Sequence, residues 1–182
     1  MGLARRINVT GNTGSGKTSL ARRISHRLGI PHVELDAIRH GPDWTETPDD
    51  IFRDRVSLAL SGEAWVVDGN YSVVRDVVWS QAQMIVWLDY PLRTALWRLV
   101  RRTLRRCFTR EELWNGNRES FRKSFLSRES ILLWLLQTYR HQRGEYPALV
   151  RRPEYAHLAM VRLRSPRETE QWLDRLTVPE RT

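Results

Sequence analysis

Residues 10 to 20 read TGNTGSGKTSL, in which four residues separate Gly11 from a Gly-Lys-Thr triplet. The run before it, RRINVT, is short and β-branched. The run after it, KTSLARRISHRLG, spaces Leu20, Ile24 and Leu28 four apart and meets its stop signal at Gly29. A strand, a glycine-rich turn and a helix in that order bring backbone N–H groups together at a helix N-terminus, which is a ready site for phosphate. Gly11, Asn12, Thr13, Gly14, Ser15 and Gly16 would cradle the phosphates. Lys17 would reach the outer ones, and the Thr18 hydroxyl would help hold Mg2+. ATP and Mg2+ are therefore the expected cofactors. Composition sharpens the role of Lys17. Of 30 basic residues 28 are Arg, leaving Lys17 and Lys123 as the lysines. In a chain so biased, a lysine marks a place where a compact ammonium must fit between phosphate oxygens and a planar guanidinium would not serve.

Beyond this stretch, strands and helices alternate, the pattern of a parallel α/β sheet. Strands are expected near residues 5–10, 32–35, 64–68, 83–88 and 157–163, with helices between them. Thr47-Pro48-Asp49-Asp50 reads as an N-cap followed by Pro at the first helical position, opening a helix that Gly62 closes. At 182 residues with 41% hydrophobic content, residues 1–182 are expected to form a single domain. No apolar run approaches a bilayer span, no signal-peptide pattern precedes the first strand, and the lone Cys107 permits no internal disulfide; a cytoplasmic protein without a membrane partner is the expectation. The net charge of +9 points to an anionic partner without choosing among nucleotide, nucleic acid and phosphorylated metabolite.

Four further stretches could carry chemistry. In AWVVDGNY, Asp68 ends a strand, where it could hold Mg2+ through water or simply begin an Asp-Gly turn; Asn70 follows as a candidate acceptor contact. In HVELDAIRHGPDW, Asp36 is placed to orient or deprotonate an acceptor hydroxyl. Arg39, His40 and Trp44 lie just beyond it. After VVWLDYP, helical spacing puts Arg98, Arg101, Arg102 and Arg105 on one face, opposite Leu92, Leu96, Leu99 and Val100; this face either meets a polyanion or is a solvated stripe. The polar, Arg-rich connection RCFTREELWNGNRESFRKSF, centred on Asn115-Gly116-Asn117, is either a lid over phosphate, at about 106–128, or a plain helical hairpin.

The blocks GNTGSGKTSLARRIS, PHVELDAI, WVVDGNYSVVRD, VVWLDYP and ELWNGNRES resemble those of P-loop kinases of the nucleoside monophosphate kinase superfamily, in particular adenylate-kinase-like proteins often labelled DNA topology modulation proteins. The resemblance implies a P-loop NTPase fold: a five-stranded parallel sheet in order 2-3-1-4-5, flanked by helices, with an acceptor site beyond the second strand and a helical, Arg-rich lid between the fourth and fifth. It also implies that Arg98 and Arg102 act on base and phosphates, making them catalytic candidates with Lys17 and Asp36. By the same resemblance, Arg164, Ser165 and Pro166 lie against adenine. The chain departs from adenylate kinases where Phe-Pro-Arg would follow the third strand. It has DGNYSVVRD instead, with Arg75 as the replacement at a different spacing. Three functions remain open: ATP-dependent phosphoryl transfer to a nucleoside monophosphate or similar small acceptor, transfer to the hydroxyl of a small metabolite, and nucleic-acid binding with regulatory ATP. The last finds no helix-turn-helix, zinc or RNA-binding motif.

Overall fold

A computed structural model of the chain describes residues 4–109, 114–117, 139 and 143–176. Five strands form one parallel sheet: β1 Arg6–Gly11, β2 His32–Glu34, β3 Trp65–Asp68, β4 Met84–Leu88 and β5 Ala159–Leu163, in the order β2-β3-β1-β4-β5. The helices are α1 Lys17–Leu28, α2 Leu35–Arg39, α3 Asp49–Ala59, α4 Arg75–Gln81, α5 Leu92–Thr109, α6 at residues 143–150 and α7 Pro166–Arg175. Strand order and helical flanks are those implied by the resemblance. Among the described residues no helix is long and apolar enough to cross a membrane. Residues 110–113 and 118–128 of the expected lid lie outside the described residues.

Alternation along each strand divides the apolar side chains between two layers, because both faces of a parallel sheet must be covered. Ile7 and Val9 of β1, Val66 of β3 and Val86 and Leu88 of β4 pack with Leu20, Ala21 and Ile24 of α1 and Leu173 of α7. Trp65, Val67, Ile85 and Trp87 face the other way, onto Phe52 and Val56 of α3, Val78 and Trp79 of α4, and Tyr146 and Leu149 of α6. On that second face Asn8 is buried but satisfied: its Nδ2 donates to Val67 O at 3.3 Å, and its Oδ1 accepts from Trp79 Nε1 at 3.1 Å. The α1 stop falls at Gly29 as expected, in the left-handed conformation. The start of α3 differs by a residue. Pro48 occupies the N-cap, while the Thr47 hydroxyl donates to Ile38 O at 3.0 Å and so ties down the preceding loop; α3 ends at Ala59, ahead of Gly62.

Candidate active site

All strands point the same way, so the turns at their C-terminal ends share one edge, which is where ligands bind in open α/β sheets. The turn after β1 carries the glycine-rich loop into α1. Gly14 sits at φ 76°, and a Cβ built on it would lie 2.6 Å from Ala95 O and 2.9 Å from Leu99 Cβ, so the loop is pressed against α5. Lys17 Nζ donates to Asn12 O at 3.2 Å. Burial holds this ammonium below its ordinary lysine pKa; the Asp36 and Asp68 carboxylates oppose that effect, and the Arg102 charge adds to it. Ser15 Oγ and Asn12 Oδ1 are buried and find no hydrogen-bond partner among the described residues. A polar loop held so, with backbone donors and a cation at a helix N-terminus, fits a polyphosphate.

Asp68 ends β3 directly beside this loop, since β1 and β3 are paired with Val9 opposite Asp68. It is buried, at 4% exposure, and accepts from Thr18 Oγ1 at 2.6 Å and from His32 Nε2 at 2.8 Å. A hydroxyl and a carboxylate in contact are the oxygen donors a hard cation such as Mg2+ takes, so Thr18 and Asp68 fit the metal role expected of them. Among the described residues no group of three or more His, Cys, Asp or Glu gathers to hold a metal ion.

Arg98 of α5 donates to Ser15 O at 3.1 Å and lies over the Tyr90 ring at 5.4 Å. Ala95, Leu99 and Thr103 form the buried side of α5. Arg98 and Arg102 are half-buried beside it, whereas Arg101 and Arg105 are exposed, and Arg101 stacks on the exposed Trp97. The four arginines thus divide into an inner pair toward the loop and an outer pair.

At the same sheet edge a cleft is lined by Thr10, Gly69, Asn70, Tyr71, Arg75 and Tyr146. At its β2 side Asp36 Oδ1 accepts from Tyr71 Oη at 2.7 Å, and His40 Nε2 lies 3.3 Å from the same hydroxyl. Burial, followed by the Asp36 charge, holds the Tyr71 phenol well above its ordinary pKa, so it stays protonated as a donor. Tyr146 donates to Asn70 Oδ1, lies 2.5 Å from Thr10 Oγ1, and is pushed up to about 12, chiefly by burial. Arg75 pairs with Glu145 at 2.7 Å and lies over the Trp79 and Tyr146 rings.

The remaining candidates have partners within the fold. The Arg39 guanidinium binds Glu46 and Asp49, both at 2.6 Å, and braces the turn into α3. Trp44 packs edge-on to His40 at 5.6 Å, and its backbone N–H donates to Asn117. Ser165 is the N-cap of α7 with Pro166 at the first turn, and its Oγ accepts from Glu168 N; Glu168 in turn accepts from the Arg164 N–H at 2.7 Å. Sequence reasoning missed His32, Glu145 and Tyr146. The last two lie seventy residues or more from their partners Arg75 and Asn70, so no local spacing could announce them.

A glycine-rich loop on β1 of a 2-3-1-4-5 sheet, with a strand-ending carboxylate beside it and arginines flanking it, defines the P-loop kinase fold. Comparison with known proteins agrees at that level. The chain is similar over most of its length to a gluconokinase from Sinorhizobium meliloti 1021 (22% identity, 95% of this chain and 93% of that one, TM-score 0.52). It is also similar to shikimate kinase from Bacteroides thetaiotaomicron (15%, 95% and 96%, TM-score 0.55) and to shikimate kinase from Acinetobacter baumannii in complex with shikimate (19%, 94% and 90%, TM-score 0.53). These identities speak for the fold. No family model matches the chain. A stretch of 57 residues, covering 28% of this chain, is 37% identical to cytidylate kinase from two strains of Nitratidesulfovibrio vulgaris; the chain spans about a quarter of the length of these curated relatives.

Proposed function

We infer that the protein transfers a phosphoryl group from ATP to the hydroxyl of a small hydroxylated acceptor. The observation that carries this reading is the placement of two unlike polar groupings on one sheet edge. The loop with Lys17, Thr18 and Asp68 suits polyphosphate, and the Asp36–Tyr71 pair is close enough for the Asp36 charge to act on Lys17. Magnesium ATP would supply the phosphoryl group and the cation that neutralises its charge. Thr18 and Asp68 would hold that cation. Lys17, Arg98 and Arg102 would steady the charge spread over the transferring oxygens. Asp36, fixed by the Tyr71 hydroxyl, would orient the acceptor hydroxyl and take its proton.

Charge accounting at the acceptor side favours a hydroxylated molecule over a phosphorylated one. Arg39 and Arg75, the two arginines expected there, are matched by Glu46 and Asp49 and by Glu145. Asn70, Tyr71, Thr10 and Tyr146 offer hydroxyl and amide groups suited to hydrogen bonding. The likeness to cytidylate kinase over 57 residues supports a second reading, a nucleoside monophosphate acceptor.

A coupled assay of ADP release, with gluconate, shikimate, CMP and AMP as probe acceptors, separates the two. Turnover on a hydroxylated acid that disappears in Lys17→Ala supports the first reading; turnover on CMP or AMP alone supports the second. No turnover, together with salt-dependent DNA binding indifferent to ATP, would replace both with a nucleic-acid function.

A further inference from the structure

Residues 114–117, Trp-Asn-Gly-Asn, lie about seventy to eighty residues beyond the turn after β2 and hydrogen-bond to it at Glu34, Ala37, His40, Gly41 and Trp44. The Asn117 side chain is 4% exposed and fully used. Its Oδ1 accepts from the Trp44 N–H at 2.8 Å, and its Nδ2 donates to Gly41 O and Trp114 O, both at 2.9 Å. Asn115 Nδ2 donates to His40 O at 2.5 Å. Trp114 Nε1 donates to Glu34 Oε2 at 2.8 Å, while Arg22 holds the other oxygen of that carboxylate at 2.6 Å. The segment thus grips the turn at its start, Glu34, and at its end, Gly41 to Trp44, with Asp36 between.

The gripped end is held in an unusual shape. Asp43 and Trp44 both have left-handed backbone angles, φ 54° and 60°, without being glycine. Two such residues in succession persist only where surrounding contacts over-determine them. Asn117 contributes to that determination from outside the turn, because it binds the Trp44 N–H within the pair and the Gly41 carbonyl ahead of it, alongside the turn's own bonds from Gly41 N–H to Thr45 O and from Thr45 N–H to Pro42 O. From Trp44 the contacts run inward: its ring packs on His40, His40 lies against Tyr71, and Tyr71 donates to Asp36.

We propose that Asn117, supported by Trp114, is a positioning residue that sets the shape of the Gly41–Trp44 turn and through it the placement of Asp36 for the acceptor. The proposal rests on the kinase reading only in naming Asp36 as the acceptor-facing carboxylate. The grip itself can be measured without turnover. Hydrogen exchange should show the Trp44 amide, and the Gly41, Thr45 and Thr47 amides of the same turn, exchanging about tenfold faster or more in Asn117→Ala, since a buried side-chain hydrogen bond is lost. Amides of residues 11–18 should be unchanged, as should the thermal shift produced by magnesium ATP. Trp114→Phe keeps an aromatic ring, though a smaller one, and removes the donor to Glu34, so it tests the other end of the grip should Asn117→Ala fold poorly; faster exchange within residues 34–40 is the expected result. With whichever acceptor the panel identifies, both variants should raise the acceptor KM several-fold and leave the KM for ATP unmoved. A lower melting temperature with unchanged exchange in the turn and unchanged acceptor KM would overturn the proposal. Failure of every probe acceptor would instead count against the kinase reading, and the exchange measurement would still decide the grip.

Discussion

Replacing Gly14 by Ala isolates the contact between the phosphate loop and α5, and Gly29→Ala is its control. Both glycines have left-handed backbone angles, 76° and 63°. A Cβ at Gly29 meets nothing within 4 Å, so Gly29→Ala bears only the conformational cost, roughly 1–2 kcal/mol. At this chain length that is a fall in Tm of about 2–8 °C. At Gly14 the same cost is joined by contacts of 2.6 Å to a backbone oxygen and 2.9 Å to Leu99 Cβ, neither of which can swing aside as a flexible chain end would. Overpacking of that kind adds about 1–3 kcal/mol, for a combined fall in Tm of about 4–20 °C. The two variants should differ more sharply in ligand response. Magnesium ATP at about 100 times its Kd adds about 2.7 kcal/mol, or about 5–11 °C, to a competent protein. Gly29→Ala should keep this shift, while Gly14→Ala, whose loop must move away from Ala95, should lose more than half of it. Scanning fluorimetry with and without magnesium ATP reads both quantities. If Gly14→Ala melts with Gly29→Ala and keeps the full nucleotide shift, the loop is not seated on α5 as described.

Asp68→Asn should lower kcat more than it weakens ATP binding, because a carboxylate that helps hold Mg2+ matters most as charge builds on the transferring group; equal losses in steady-state kinetics and in nucleotide titration would make its role structural. Arg102→Lys should slow transfer by about tenfold or more, since Lys cannot reproduce a planar multi-donor contact, whereas the exposed Arg101 changed to Lys should leave the rate near wild type. Tyr146 sets a pH dependence. Its folded pKa of about 12 exceeds the ordinary value of 10.0, so between those limits the native state holds the proton more tightly than the unfolded chain. The stability this contributes is present below pH 10 and is lost as pH rises toward 12, by about 2–3 kcal/mol at most. Denaturant melts at pH 9 and 11.5 should therefore differ less for Tyr146→Phe than for the wild type; an equal fall in both would assign the effect elsewhere.

The five strands were legible because each is a short apolar run bounded by turn residues, and the glycine loop because its chemistry is local. Asp68 was legible for the same reason. It closes an apolar strand, and the structure adds what the sequence could not, that His32 on the neighbouring strand holds its other oxygen. The acceptor side was legible only in part. Asp36 stands out by position, but the fate of Arg39 and Arg75 depends on Glu46, Asp49 and Glu145, and Glu145 reaches Arg75 from another part of the chain. The segment Arg164-Ser165-Pro166 shows how two signals can share residues. Ser-Pro-x-Glu is also a helix opening, and the Ser165 hydroxyl caps α7 here. At Asn115-Gly116-Asn117 the sequence marked the centre of a polar connection but could not show that Asn117 binds the turn after β2, because that contact is fixed by topology rather than by spacing.

The seating of the glycine loop also bears on how the chain can acquire its shape as it is made. The loop precedes β4 and α5 in the chain, yet Gly11 rests on Leu88 at the end of β4, and Gly14 rests on Ala95 and Leu99 of α5. Leu99 follows Thr18 by about eighty residues, a delay of about 4–16 s at ordinary rates of chain elongation. Before β4 is made β1 lacks that neighbour, and before α5 is made the loop lacks its floor. A nascent chain ending before β4 would therefore carry the whole glycine motif without the surface on which Gly11 and Gly14 are seated, so the loop is expected to reach its folded shape only after α5 has emerged.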